Sequence, residues 1–231
     1  MTVIGKGVLL MIDTVIFDFD GVIIDTETPD FLTWQAVFEF HGVNLEMNVW
    51  LDHVGGRSGA FNAHEYLERA TGKRLDKDKL LQNRRSQYVQ LVESYPLMPG
   101  VLDYIHSCHE LGLYLGLASS SPTEWVEGHL KRMGIYDYFN CIKSADDVNN
   151  VKPRPDLYLA CLEFFNTEPN HSVAIEDSLN GLTAAKSAGM YCVAVPNAIT
   201  RNFVFDDADC VLESLADINL PDLIQRLERS E

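Results

Sequence analysis

The chain has no C-x-x-C pair among its five cysteines, Cys108, Cys141, Cys161, Cys192 and Cys210, and their number is odd. That argues against a zinc ribbon and against a disulfide framework, and for buried thiols in a reducing compartment. No run approaches the ~20 apolar residues that span a bilayer, so no transmembrane helix is expected. Positive charge is scarce: 18 Lys and Arg stand against 34 Asp and Glu in 231 residues, a formal net charge of −16. Phosphate backbones and anionic lipids attract basic surfaces, so neither nucleic acid nor membrane is an expected partner. Internal repeats and low-complexity segments are missing too. The opening MTVIGKGVLL has no small-residue cleavage site, which argues against a signal peptide and for a cytoplasmic protein. Two readings stay open for it: a short tail, or residues ahead of a working start at Met11.

What the chain does have is alternation. Strand-like TVIFDFD (14–20) leads into residues 28–95, where every periodic segment reads as helix: one opened by Thr28 and Pro29, one over AFNAHEYLERATG, one opened by Asp76. This stretch carries 8 basic and 9 acidic side chains, so nearly all the acidic excess lies outside it. Pro96, Pro99 and Gly100 mark a return, after which helices and strands take turns to the end. Strands separated by helices of ten or more residues imply right-handed crossovers. The fold class expected is α/β, a doubly wound parallel Rossmann-like core (1–27 and 96–231) with an inserted all-helical cap (28–95).

In such sheets, ligands bind beyond the carboxyl ends of the strands. There the sequence places Asp18, Asp20 and Gly21, then Ser119, Ser120 and Ser121, then Glu176 and Asp177, with Lys152 ahead of PRPDLY. An unpartnered buried carboxylate costs several kcal/mol, so acidic groups crowded at strand ends face water or a cation. Hard oxygen donors of this kind suit Mg²⁺. Each signal has a plainer reading alone: Ser121-Pro122-x-Glu124 makes a capping box, and EDSLNG is an acidic helix start.

Taken together, DFDGV, ASSS, VKPRPDLY and IEDSLNG resemble, in order, the four motifs of the haloacid dehalogenase superfamily. The helical insertion after the first motif resembles the small cap of the subgroup with phosphoglycolate phosphatase and β-phosphoglucomutase. The resemblance implies that Asp18 attacks phosphorus to form an aspartyl phosphate, with Asp20 as general acid and then general base. It implies Mg²⁺ held by Asp18, Asp20 (through its backbone carbonyl) and Asp177, with Glu176 as a further ligand. Lys152, Ser119 and the backbone around Ser120 would cradle the phosphoryl group, and Ser121 and Asn180 would touch substrate.

An acidic group at position 20 favours phosphate esters, whose alkoxide leaving group needs a proton, so the expected activity is a phosphatase acting on a small phosphorylated metabolite. The alternatives are a β-phosphoglucomutase-like hexose phosphate mutase, with Arg57 in VGGRSG as clamp for a second phosphate, and a non-catalytic phosphometabolite sensor. Asp30 stands where the mutase pattern places a histidine, which favours hydrolysis.

Overall fold

The structure, a computed structural model, describes residues 2–4, 8–54 and 62–229. Two short strands, β1 (Thr2–Ile4) and β2 (Val8–Leu10), pair antiparallel ahead of the first core strand. The sequence predicts its first strand only at TVIFDFD, after these two. The core strand β3 (Thr14–Phe17) is followed by four helices, α1 (Glu27–Phe40), α2 (Met47–Val54), α3 (Ala63–Thr71) and α4 (Lys77–Ser94). Then α5 (Val101–Leu111), β4 (Tyr114–Ala118), α6 (Thr123–Arg132), β5 (Cys141–Lys143), α7 (Asp156–Phe165) and β6 (Ser172–Glu176) alternate. The chain ends with α8 (Leu179–Ser187), β7 (Tyr191–Ala194), β8 (Cys210–Val211) and α9 (Leu220–Glu228).

Six strands form one parallel sheet in the order β5-β4-β3-β6-β7-β8. With β3 between β4 and β6, the strand order reverses beside it, and the loop at its carboxyl end opens into the crevice where ligands bind in such sheets. Alternation along each strand sorts the core into two layers. Val15, Phe17, Leu115, Leu117, Val173 and Ile175 face one side, packed with Tyr104, Ile105 and Cys108 of α5 and Leu223, Ile224 and Leu227 of α9. Ile16, Ala118, Ala174 and Cys192 face the other, against α7 and α8. All five cysteines are buried and free. No described helix is long and apolar enough to cross a membrane.

The inserted helices carry an apolar cluster of their own: Phe31, Trp34 and Phe38 of α1, Leu45, Trp50 of α2, and Ala63 and Leu67 of α3. Ile199, from the loop after β7, joins this cluster, while Tyr88 and Val92 of α4 pack into the sheet's core instead. Where the chain leaves and re-enters the sheet, Ile24 bridges Leu97 in antiparallel fashion, and Met98 N–H donates to Ile23 O at 2.9 Å. The start of α1 differs from expectation. The helix begins at Glu27, and it is Asp25 Oδ1 that accepts from Thr28 N–H at 2.9 Å, so Asp25 caps the turn that Thr28 was expected to cap. Helix α2 is not among the helices expected from the sequence.

Candidate active site

Asp18 and Asp20 sit on the turn that ends β3, and Asp18 is only 6% exposed. The Lys152 ammonium lies between strand ends, donating to Asp18 Oδ1 at 2.5 Å, Glu176 Oε1 at 2.6 Å and Ala118 O at 2.7 Å. Glu176 is fully buried and its oxygens are occupied further: Tyr158 OH donates to Oε1 at 2.6 Å and Ser178 Oγ to Oε2 at 3.2 Å. Helix α8 can approach so closely only because position 181 is glycine; a Cβ there would fall 1.8 Å from the Glu176 carboxyl carbon. Asp177, also buried, accepts from Asn197 Nδ2 at 2.6 Å. Gly21 adopts φ +82° against the same oxygen, and a Cβ there would lie 2.1 Å from Asp177 Oδ2 and 2.7 Å from Asn197 Nδ2.

Oxygens of Asp18, Glu176 and Asp177 gather within 4.8 Å of one another. Burial pushes the Asp18 carboxyl up to about 8; Lys152 opposes the shift, and Glu176 and Asp20 add to it. Asp177 is raised for the same reason, burial first and then Asp18, Glu27 and Glu176. Burial alone disfavours the Lys152 charge, yet Asp18 and Glu176 overcome it and hold the ammonium firmly protonated. One lysine among three buried carboxylates leaves the cluster short of positive charge, and its donors are the hard oxygens that Mg²⁺ prefers. The Asp20 side chain is not among the clustered carboxylates.

The Asp20 carboxylate is held apart, with Ser121 Oγ donating to Oδ2 at 2.5 Å, Ser119 Oγ to Oδ2 at 3.4 Å and Trp125 Nε1 to Oδ1 at 3.2 Å. This overturns the capping box expected at Ser121. Pro122 stands at the N-cap of α6 with no side-chain cap, Ser121 is drawn to Asp20, and Asp146 Oδ2 instead accepts from Thr123 N–H at 2.8 Å. Ser119 is fully buried, its hydroxyl also accepting from Ser121 N–H at 3.0 Å. Asp18, Asp20, Ser120, Ser121, Lys152, Asp177 and Asn180 line one cavity of about 410 Å³, together with Thr26, Glu27, Asp30 and Tyr88 from the insertion side. Arg57 lies outside the described residues.

Glu27 is the lining residue that sequence reasoning missed, because an acidic residue in a first helical turn is ordinarily read as a partner of the helix dipole. Burial, then Asp30, Asp20, Asp25 and Asp18, pushes its carboxyl up to about 8. The folded protein retains a proton there that the unfolded chain releases near pH 4.5, so the stability it brings is whole below that pH and is lost as pH rises through about 8. In chelator, Glu27→Gln is expected to melt higher than the parent at about pH 9, by at least about 1 kcal/mol or roughly 2–4 °C. The gain vanishes near pH 4 in thermal unfolding, and an equal gain at both pH values refutes the assignment.

Residues 15–195 match the haloacid dehalogenase-like hydrolase family. YhcW of Bacillus subtilis (strain 168) is 46% identical over 217 residues, covering 94% of this chain and 98% of that protein. Hexitol phosphatase B of Escherichia coli (strain K12) is 32% identical over 213 residues, 90% of this chain and 95% of that one. The crystal structure of CbbY from Rhodobacter sphaeroides in complex with phosphate superposes with a TM-score of 0.67 at 29% identity, covering 89% of this chain and 96% of that one. With the four motifs gathered at the sheet's carboxyl edge, the match places the chain in a family: it belongs to the haloacid dehalogenase-like hydrolases.

Proposed function

We propose that this hydrolase is a magnesium-dependent phosphatase that cleaves a small phosphorylated metabolite, a sugar or polyol phosphate, through an aspartyl phosphate on Asp18. The observation that carries the reading is one cavity with two differently held carboxylates, Asp18 ion-paired to Lys152 and Asp20 gripped by hydroxyl and indole donors. An Asp18 oxygen attacks phosphorus, the bond from phosphorus to the ester oxygen breaks, and Asp20 gives that oxygen its proton, releasing the alcohol. Asp20, now a carboxylate, takes a proton from a water whose oxygen attacks the phosphoryl group. The bond from phosphorus to Asp18 breaks, and phosphate leaves. Lys152 balances charge on the Asp18 side of the group in transit, and Ser120 and Ser121 border it.

The residues present fit a magnesium ion: Asp18, Asp177 and the main chain of Asp20 would hold it. Glu176 lies within the same cluster, but both its oxygens are engaged by Lys152, Tyr158 and Ser178. When bound, the ion supplies neutralisation of the phosphoryl oxygens.

The core of residues 1–27 and 96–231 performs this chemistry, and residues 28–95 cap it, selecting the leaving group and excluding water. Thr26, Glu27 and Asn180 give the cavity a polar lining suited to hydroxyls, and about 410 Å³ suits a small metabolite. The similarity to a hexitol phosphatase supports that substrate class. Asp30, at the position of the mutase histidine, is ion-paired with Arg84, which keeps it from relaying protons and favours hydrolysis over interconversion.

The test is phosphate release from p-nitrophenyl phosphate and a panel of sugar and polyol phosphates, with magnesium or with chelator. Magnesium-dependent release is expected. No turnover above an Asp18→Asn control makes the protein a sensor, and isomerised hexose phosphate without free phosphate makes it a mutase.

A further inference from the structure

The indole of Trp125, in the first turn of α6, stands between Asp20 and the inserted helices. Its Nε1–H donates to Asp20 Oδ1 while Ser121 holds Oδ2, so the two donors together fix the plane of the carboxyl group. The indole is itself clamped. Tyr88 of α4 stacks on it with ring centroids 5.5 Å apart and planes 15° apart. The Arg85 guanidinium, one helical turn along the same surface, lies 4.5 Å from the indole centroid and 5.3 Å from the Tyr88 ring. From below, His129 meets the indole edge-on at 4.2 Å. A tryptophan serving only as filler needs no donor aimed at a carboxylate, nor a cation on its outer face.

We infer that Trp125 is a positioning residue for Asp20, aligned by Tyr88 and Arg85 of the inserted helices, so that the acid is set for proton transfer only while α4 is docked on α6. The inference rests on the reading of Asp20 as the general acid. It ties substrate enclosure to the chemical step: when α4 lifts, the indole loses its platform and Asp20 loses its donor to Oδ1, keeping the serine hydroxyls on Oδ2. Misplacing a reacting group by about 1 Å costs on the order of 10²-fold in rate, so partial loss of one donor should fall below that.

The test exploits leaving groups. An alkyl phosphate needs a proton on its departing oxygen and p-nitrophenyl phosphate does not, whereas kcat/KM for both reports formation of the aspartyl phosphate. Trp125→Phe keeps the stack on Tyr88 and removes the N–H. It is expected to lower kcat/KM about 10-fold for a sugar phosphate and less than about 3-fold for p-nitrophenyl phosphate. Arg85→Gln, a change at an exposed position on α4, is expected to move the ratio in the same direction by about 2-fold, and it decides the matter alone if Trp125→Phe does not fold. Equal losses on both substrates, or none, overturn the positioning role. Asp20→Asn separates the two failures: a selective loss there with none in the other variants sinks the Trp125 inference only, whereas an unselective loss sinks the acid assignment beneath it.

Discussion

Asp18→Asn should release no detectable phosphate, a loss of at least about 10⁴-fold, while the protein stays folded. The amide oxygen still accepts from Lys152, so the contact at 2.5 Å survives in form, and the crowding that drives the Asp18 carboxyl up to about 8 is relieved. What disappears is the carboxylate proposed to form the covalent intermediate. Acid-quenched parent enzyme should carry phosphate on residue 18 during turnover, and the Asn variant none. An Asn variant within tenfold of the parent would mean that water attacks the ester directly and that Asp18 merely binds.

Lys152→Met should be the more damaging change to the fold. The ammonium makes three hydrogen bonds in a place where its side chain is 5% exposed, and two of its partners are carboxylates. Removing one partner of a buried ion pair typically costs about 3–5 kcal/mol, because the charge left behind stays buried without compensation. For a chain of this size that is a fall in Tm on the order of 10 °C. Adding Glu176→Gln to the same protein should recover more than half of the lost stability in calorimetry and none of the activity. The amide removes the orphaned charge but does nothing for the phosphoryl oxygens that Lys152 is proposed to face. If the double variant is no more stable than the single one, the ion pair is not what the lysine contributes to the fold.

Much of the sheet and its helices was legible because their signals are local. VLDYIHSCHEL, DLYLACLEFF and LPDLIQRLE form helices at the boundaries their periodicity and flanking residues indicate, and Asp76 caps α4 as its position suggests, accepting from Lys79 N–H. The four strand-end motifs converge because a parallel sheet puts all its carboxyl edges on one side. Two errors come from partners distant in sequence. Ser121 satisfies every local rule for a cap, but Asp20, 101 positions earlier, draws its hydroxyl away. Trp125 reads as one apolar residue on an amphipathic helix, and nothing nearby in the chain announces a carboxylate 105 positions back. Thr28 reads as a helix start, but the helix begins at Glu27 and Asp25 accepts the Thr28 N–H.

The Ile24–Leu97 bridge has a consequence for how such an enzyme diversifies. Because Ile24 bridges Leu97, both covalent connections of the intervening helices leave the sheet at one place, while Tyr88 and Val92 of α4 pack onto the core beside it. The span across which that intervening stretch must close stays short whatever its length, and loop-closure free energy grows only slowly with length. A lengthened or shortened appendage leaves strand register as it was, because among the described residues every strand of the six-stranded sheet lies outside it. On the roles proposed above, substrate preference can then drift faster than reaction type, except at positions such as Tyr88 and Arg85 that meet the Trp125 indole beside Asp20.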